Sequence, residues 1–273
     1  MNEKNLAASS NPTMANDLLA KAIAEPIAKV VKEAEITEPS LDTLVLLPGG
    51  HINSAGEVIK TAEVRELNGK DEELVNKSPN LTKAFNVVLE RAVVSIGDEK
   101  VTPELLDKML VGDRDALLLG IYKATFGPTA ELSVYCSGCS DIKEVEVDVD
   151  RDIEVRKLSN PIADREFAVQ GKKNTYLVTL PTGTTQKELV NNSDKTVAEL
   201  NTILLEQTVL EINDQPVISK LQIQNMGIAD RRKIGDELAK RTSGPQFNEV
   251  TITCPDCEGK VVVPINLGAL FRF

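Results

Sequence analysis

The 273-residue chain is 41% hydrophobic and 27% charged, long enough for one large domain or two modest ones and balanced as a folded, soluble protein. Its 31 basic and 42 acidic residues leave a net charge of −11, and its aromatic residues are six Phe and three Tyr with no Trp. Phosphate binding needs a basic surface and base stacking needs exposed aromatic rings, so direct nucleic-acid work is not expected. No apolar run approaches the ~20 residues of a membrane-spanning helix, and the first residues lack a basic-then-apolar leader, so the expectation is a reducing cytoplasm.

Residues 1–40 read as a flexible polar tail (1–13), an amphipathic helical arm (14–35) interrupted at Pro26, and a linker containing Pro39. In the arm, Leu18, Leu19, Ile23, Ile27, Val30 and Val31 recur at helical spacing. Residues 41–127 read as a small hairpin followed by helices. A strand at 44–47 enters a turn at Pro48-Gly49-Gly50-His51, with residues 58–67 as its antiparallel partner. Asn68 opens a helix with Asp71, Glu72 and Glu73 in its first turn, where the macrodipole favours acids. The period of Phe85, Val88, Leu89, Ala92 and Val93 predicts one helix over 81–96. Thr102-Pro103 is an N-cap followed by proline at the first helical position, and 112–126 is apolar enough to be the central core helix.

Beyond Gly127-Pro128 the period changes to two. Leu132, Val134 and Cys136 share one face of a strand, and Val145, Val147 and Val149 alternate with Glu144, Glu146, Asp148 and Asp150 on the next. Residues 157–245 form a separate block, read as a hairpin over 167–180 that turns at 170–174 and helices at 196–212 and 218–241. Alternation returns from Glu249 with Val250, Ile252 and Cys254, then Val261, Val263 and Ile265, before the apolar end Leu270-Phe271-Arg272-Phe273. The two phenylalanines are expected to pack on the preceding strands or on a neighbouring subunit.

The cysteine hairpins align without gaps, 131–139 against 249–257, each a strand running into Cys-x-x-Cys: Cys136 and Cys139, then Cys254 and Cys257. Two residues between cysteines let one turn present both sulfurs to one ion, and Gly138 and Gly259 are expected to give each turn its backbone freedom. Two such knuckles make a tetrahedral four-thiolate site, with structural Zn2+ as the favoured occupant. Four thiolates also suit a single iron or an iron-sulfur cluster, and a redox Cys-x-x-Cys is a further reading, although that motif normally stands where a strand meets a helix. Because 114 residues separate Cys139 from Cys254, the ribbon has to be split by an insertion. The fold class expected is therefore α+β: a helical region, a split four-cysteine zinc ribbon (128–156 and 246–273), and an inserted α/β subdomain at 157–245.

No sequence pattern marks an enzyme. Phosphate-cradling, dinucleotide, zinc-protease and nucleophile-elbow motifs are absent, and His51, the one histidine, has no evident partner and reads as a surface loop residue. The run from Asp148 to Asp152 opens like a calcium loop, but Ile153 stands at the glycine position and Ser159 at the closing glutamate.

Several features in order carry a resemblance: Leu47-Pro48-Gly49-Gly50; Val64-Arg65-Glu66-Leu67-Asn68-Gly69-Lys70; Gly112-Asp113-Arg114-Asp115-Ala116 running on to Phe126-Gly127; the first cysteine pair; Ile228-Ala229-Asp230-Arg231-Arg232; Gly244-Pro245; the second pair; and the terminal Leu270-Phe271. Over roughly residues 44–273 the chain resembles the T-even-type bacteriophage baseplate-hub and tail-assembly family. The first knuckle departs from the family pattern with Ser137 in place of proline and Ser140 in place of glycine. The resemblance implies a non-catalytic structural or assembly protein of a contractile tail, either a hub component or a helper lost later. Its implied partners are other baseplate and tail proteins, with neither nucleic acid nor membrane, and homo-oligomer formation is left open. Its implied place is the host cytoplasm during assembly and the baseplate of the virion. A zinc-ribbon adaptor of transcription or translation is the contrasting reading, and it would need a basic face that neither knuckle shows.

Overall fold

A computed structural model describes residues 43–254 and 256–272. The tail, arm and linker expected within 1–40, together with Pro255 and Phe273, lie outside the described residues. The fold is α+β.

Strands β1 (Thr43–Ile52), β2 (Val58–Val64), β3 (Val93–Ile96) and β4 (Glu99–Lys100) form an antiparallel sheet in that order. The expected turn at Pro48-Gly49-Gly50-His51 lies inside β1. The register slips between Leu46 and His51, and the chain reverses instead at Asn53, whose side chain accepts from the amides of Ala55 and Glu57. Proline has no N–H for a ladder, so a slip is where a strand tolerates it. His51 is accordingly a buried strand residue, not a surface loop residue. Its Nε2 lies 3.4 Å from Glu99, and burial holds its pKa below the usual value against the pull of that carboxylate.

Helices α1 (Gly69–Val75), α2 (Leu81–Ala92), α3 (Pro103–Lys108) and α4 (Val111–Phe126) follow. Asn68 and Asp71 form a capping box at α1, and Thr102 caps α3. The helix expected over 81–96 ends at Ala92, where the β-branched Val93, Val94 and Ile96 pair as β3 with β2 instead. Helix α4 is the core helix, with Leu117, Leu118, Ile121 and Tyr122 buried, and it packs along β1.

The first cysteine hairpin, β5 (Thr129–Cys136) and β6 (Asp141–Asp148), leads through the short α5 (Val149–Asp152) to β7 (Glu154–Arg156). Strands β8 (Glu166–Gln170), β9 (Thr175–Thr179), β10 (Val209–Ile212) and β11 (Gln215–Pro216) then form a second antiparallel sheet. With it come α6 (Gly183–Asn191), α7 (Val197–Thr208), α8 (Lys220–Gln224) and α9 (Ile228–Arg241). The helix expected over 196–212 turns to strand at Val209, and that expected over 218–241 is broken at Asn225, Met226 and Gly227. Helix α6 was not apparent from periodicity. Tyr176, Val178, Leu205, Ile223 and Ile234 bury a hydrophobic cluster of their own, joined from outside the block by Leu110.

The ends of this block meet. Strand β12 (Gly244–Gln246) pairs with β7, placing Gly244 opposite Arg156. The same junction is pressed against α4: a Cβ on Gly112 would lie 1.6 Å from the Ser243 carbonyl oxygen, so no larger residue fits. Asp113 accepts from the Gly49 amide at 2.6 Å, and burial pushes its carboxyl up to about 6. Its Oδ2 and the Ser243 Oγ are the buried side-chain polar atoms without a partner among the described residues.

The second cysteine hairpin, β13 (Glu249–Thr253) and β14 (Lys260–Pro264), ends in the short helix α10 (Leu267–Phe271). Phe271 is buried in the main core cluster and packs against aromatic residues of the helices. Its ring centroid lies 5.6 Å from Tyr122, 5.7 Å from Phe85 and 6.4 Å from Phe126, each edge-on.

Candidate metal centre

Each knuckle grows out of a strand end. Cys136 is the last residue of β5, and Cys254 follows the last residue of β13. Strand β14 lies beside β5, and that side-by-side packing closes a sequence gap of more than a hundred residues. Val261 and the sulfurs of Cys136 and Cys254 form a small apolar cluster beneath the turns, edged by Val134 and Ile252.

All four cysteine sulfurs lie within 4.8 Å of one another. The two shortest contacts cross between knuckles: Cys136 to Cys257 at 3.6 Å and Cys139 to Cys254 at 3.7 Å. Disulfide sulfurs would stand about 2.05 Å apart, and these cysteines are free. Thiolates 2.3 Å from a shared tetrahedral ion would stand about 3.8 Å apart along each edge, so the donor set suits a single ion. Cys136 and Cys254 are buried, Cys139 is half-buried and Cys257 is exposed.

The turns supply charge stabilisation as well as sulfur. The amides of Cys257 and Asp256 donate to the Cys254 sulfur and bring its pKa down to about 7. Cys139 is pushed up to about 12, first because its thiol proton is shared with the Cys257 sulfur and then by burial. Lys143 of β6 reaches across to the other knuckle: its Nζ lies 2.6 Å from Asp256 and 2.9 Å from Asp141, and Asp256 above all raises its pKa.

The backbone freedom expected of Gly138 and Gly259 is used elsewhere. The left-handed residues are Ser140 (φ 55°) and Glu258 (φ 57°), each directly after the second cysteine of its knuckle, so both turns use left-handed backbone at the same position. Gly138 matters for space instead, because a Cβ there would lie 2.9 Å from the Cys257 sulfur. Sequence inspection assigned the sulfurs and missed Lys143; a lysine in the strand facing an Asp of the opposite turn leaves no local pattern.

A family model described as T4 bacteriophage base plate protein matches residues 52–271. The chain belongs to this family. No curated protein matches it, and no solved structure matches it. The matched region takes in β2, β3 and β4 of the core sheet, both cysteine hairpins and the block between them, so the cysteine cluster lies inside the family region. Among the described residues no helix is long and apolar enough to cross a membrane.

Proposed function

We propose that this baseplate-family chain is a structural or assembly component of the baseplate hub that works through protein–protein contacts, with one structural zinc held by Cys136, Cys139, Cys254 and Cys257. The family match over residues 52–271 carries the baseplate assignment. The close tetrad of sulfurs supports the metal, and it favours one ion over a multi-iron cluster, whose ligands must stand farther apart. Zinc there would supply folding free energy by tying together two hairpins distant in sequence, and with four protein ligands it would have no open position for catalysis. The protein's own groups prepare the site: turn amides stabilise the Cys254 thiolate, and Lys143 offsets negative charge between the knuckles.

On this reading residues 128–156 and 246–273 form a split ribbon, and 157–245 is an insertion whose ends meet at the β7–β12 pair. The acidic outer face of the first hairpin weighs against an adaptor for nucleic acid. Assembly takes place in the host cytoplasm, with the chain either retained in the virion tail or released as a helper. Mass spectrometry of purified virions, together with tail assembly in a phage lacking the chain, tests this. Presence in the baseplate identifies a component, and absence combined with failed tails identifies a helper. Absence with normal tails overturns the proposal.

A further inference from the structure

Two outward surfaces of this chain, built over different hydrophobic clusters, are complementary in charge, and each carries an exposed apolar centre. On the first hairpin the side chains facing away from the core pair across the strands as Glu131 with Glu146, Ser133 with Glu144, and Tyr135 with Ile142. Like charges set directly opposite each other cost stability, and no cation forms an ion pair with Glu131, Glu144 or Glu146 among the described residues. The nearby Arg151 is held by Asp152 at 2.8 Å. At the tip, Tyr135 and Ile142 are 64% and 66% exposed, an apolar pair at the end of an acidic row.

The second surface lies where α7, α8 and α9 converge. A shallow, mainly apolar cleft is lined by Ala198, Gln224, Met226, Ile228, Arg231 and Arg232. Ile228 is 71% exposed, and Arg232, one helical turn along the same face, is exposed without an ion pair among the described residues. Arg231 is fixed along the cleft wall by bonds to Thr202 Oγ1 and the Ile223 carbonyl. The one carboxylate in the cleft, Glu199, is occupied by the cap at Thr196.

We infer that these surfaces meet between two copies of the chain, Tyr135 and Ile142 of one copy seating in the Ile228 cleft of the next with the acidic row against Arg231 and Arg232. An apolar anchor pair at the end of an acidic row meets an apolar cleft edged by two arginines, which is the arrangement of a specific contact. The acidic row repels phosphate-bearing partners, and every chain carries both halves once. The contact is head to tail, so it closes into a ring or propagates as a filament. It is independent of the baseplate assignment.

Sedimentation of the full-length chain over a concentration series, in low and high salt, tests this. The expected result is concentration-dependent association that high salt weakens. Tyr135→Ser and Arg232→Glu, both at exposed positions remote from each other, should each weaken it about tenfold or more while leaving the circular dichroism unchanged. A chain carrying Glu144→Arg and Glu146→Arg should fail to associate with itself but associate with the Arg232→Glu chain when mixed, because the unchanged acidic head of the second chain then meets the unchanged basic cleft of the first. A monomer at every concentration in low salt, association indifferent to both single substitutions, or no recovery in the mixture would overturn the inference.

Discussion

Around α4, Leu117 and Ile121 are fully buried within a cluster of thirty buried residues among those described, whereas beneath the cysteine turns the cluster is Cys136, Cys254 and Val261. The first region buries enough apolar surface to hold itself together. The second is two hairpin tips with little to bury, and two-stranded hairpins are marginal alone in water. The difference teaches why one part of this chain can be specified by hydrophobic pattern, while the other is the place where the proposed sulfur-bound ion would add most to folding.

The largest effect should therefore be local. Structural zinc sites are worth about 10–16 kcal/mol in apparent binding. Chelation, or Cys136→Ser, should abolish amide-exchange protection at the ends of β5, β6, β13 and β14 and leave α4 protected. Equal loss in α4 would break the comparison, since it would make the core depend on the ion as well.

Phe271→Ala probes the opposite region. It removes a buried ring from its edge-on contacts with Phe85, Tyr122 and Phe126, and denaturant unfolding should show a loss of about 3–5 kcal/mol with metal content unchanged. An unchanged stability would show that the C-terminal helix is not part of the core.

Asp113 sharpens the account of how the core joins the 157–245 block. Its carboxyl is raised from 3.8 to about 6, so the folded state holds the proton more tightly than the unfolded state. Its contribution to stability is therefore favourable at low pH and is lost as pH rises from about 4 through 6. Asp115, also raised to about 6 by burial, adds a second group of the same sign. Asp113→Asn should raise stability at pH 8 by about 2–3 kcal/mol and flatten part of that slope, as equilibrium unfolding across pH would show. Asp71 works in the opposite sense: bonds from Arg65 and the Asn68 amide outweigh its burial and hold it at about 2, so its stabilisation disappears as pH falls from about 4 to 2.

The smallest effect belongs to the knuckle turns. Ser140→Gly and Glu258→Gly each relieve a left-handed conformation and should stabilise the metal-loaded protein by about 1 kcal/mol, read by thermal unfolding. Destabilisation would mean that those side chains make contacts outweighing the backbone relief.

Much of the fold was legible because the patterns were long or chemically marked. The run 112–126 stood out as the core helix, Asn68 and Thr102 announced their helices, and the alternation on both sides of each cysteine pair read as strands. The errors share a cause. At Ala92 and at Thr208 a helical period continues into residues whose final state is set by a partner strand distant in sequence, β2 in one case and β9 in the other. Pro48-Gly49-Gly50 reads locally as a turn, but α4 packs on it and Asp113 takes the Gly49 amide, which draws it into the sheet. The four cysteines were legible as a group because their spacing is chemical. Lys143, and the convergence of Gly112 with Gly244, depend on tertiary approach and had no local sign.

Metal content of the purified chain, measured by elemental analysis alongside thiol titration, tests the central claim most directly. One zinc per chain, with four thiols that become reactive only after chelation, is the result expected. No metal with four freely reactive thiols, or two ions per chain, would contradict it.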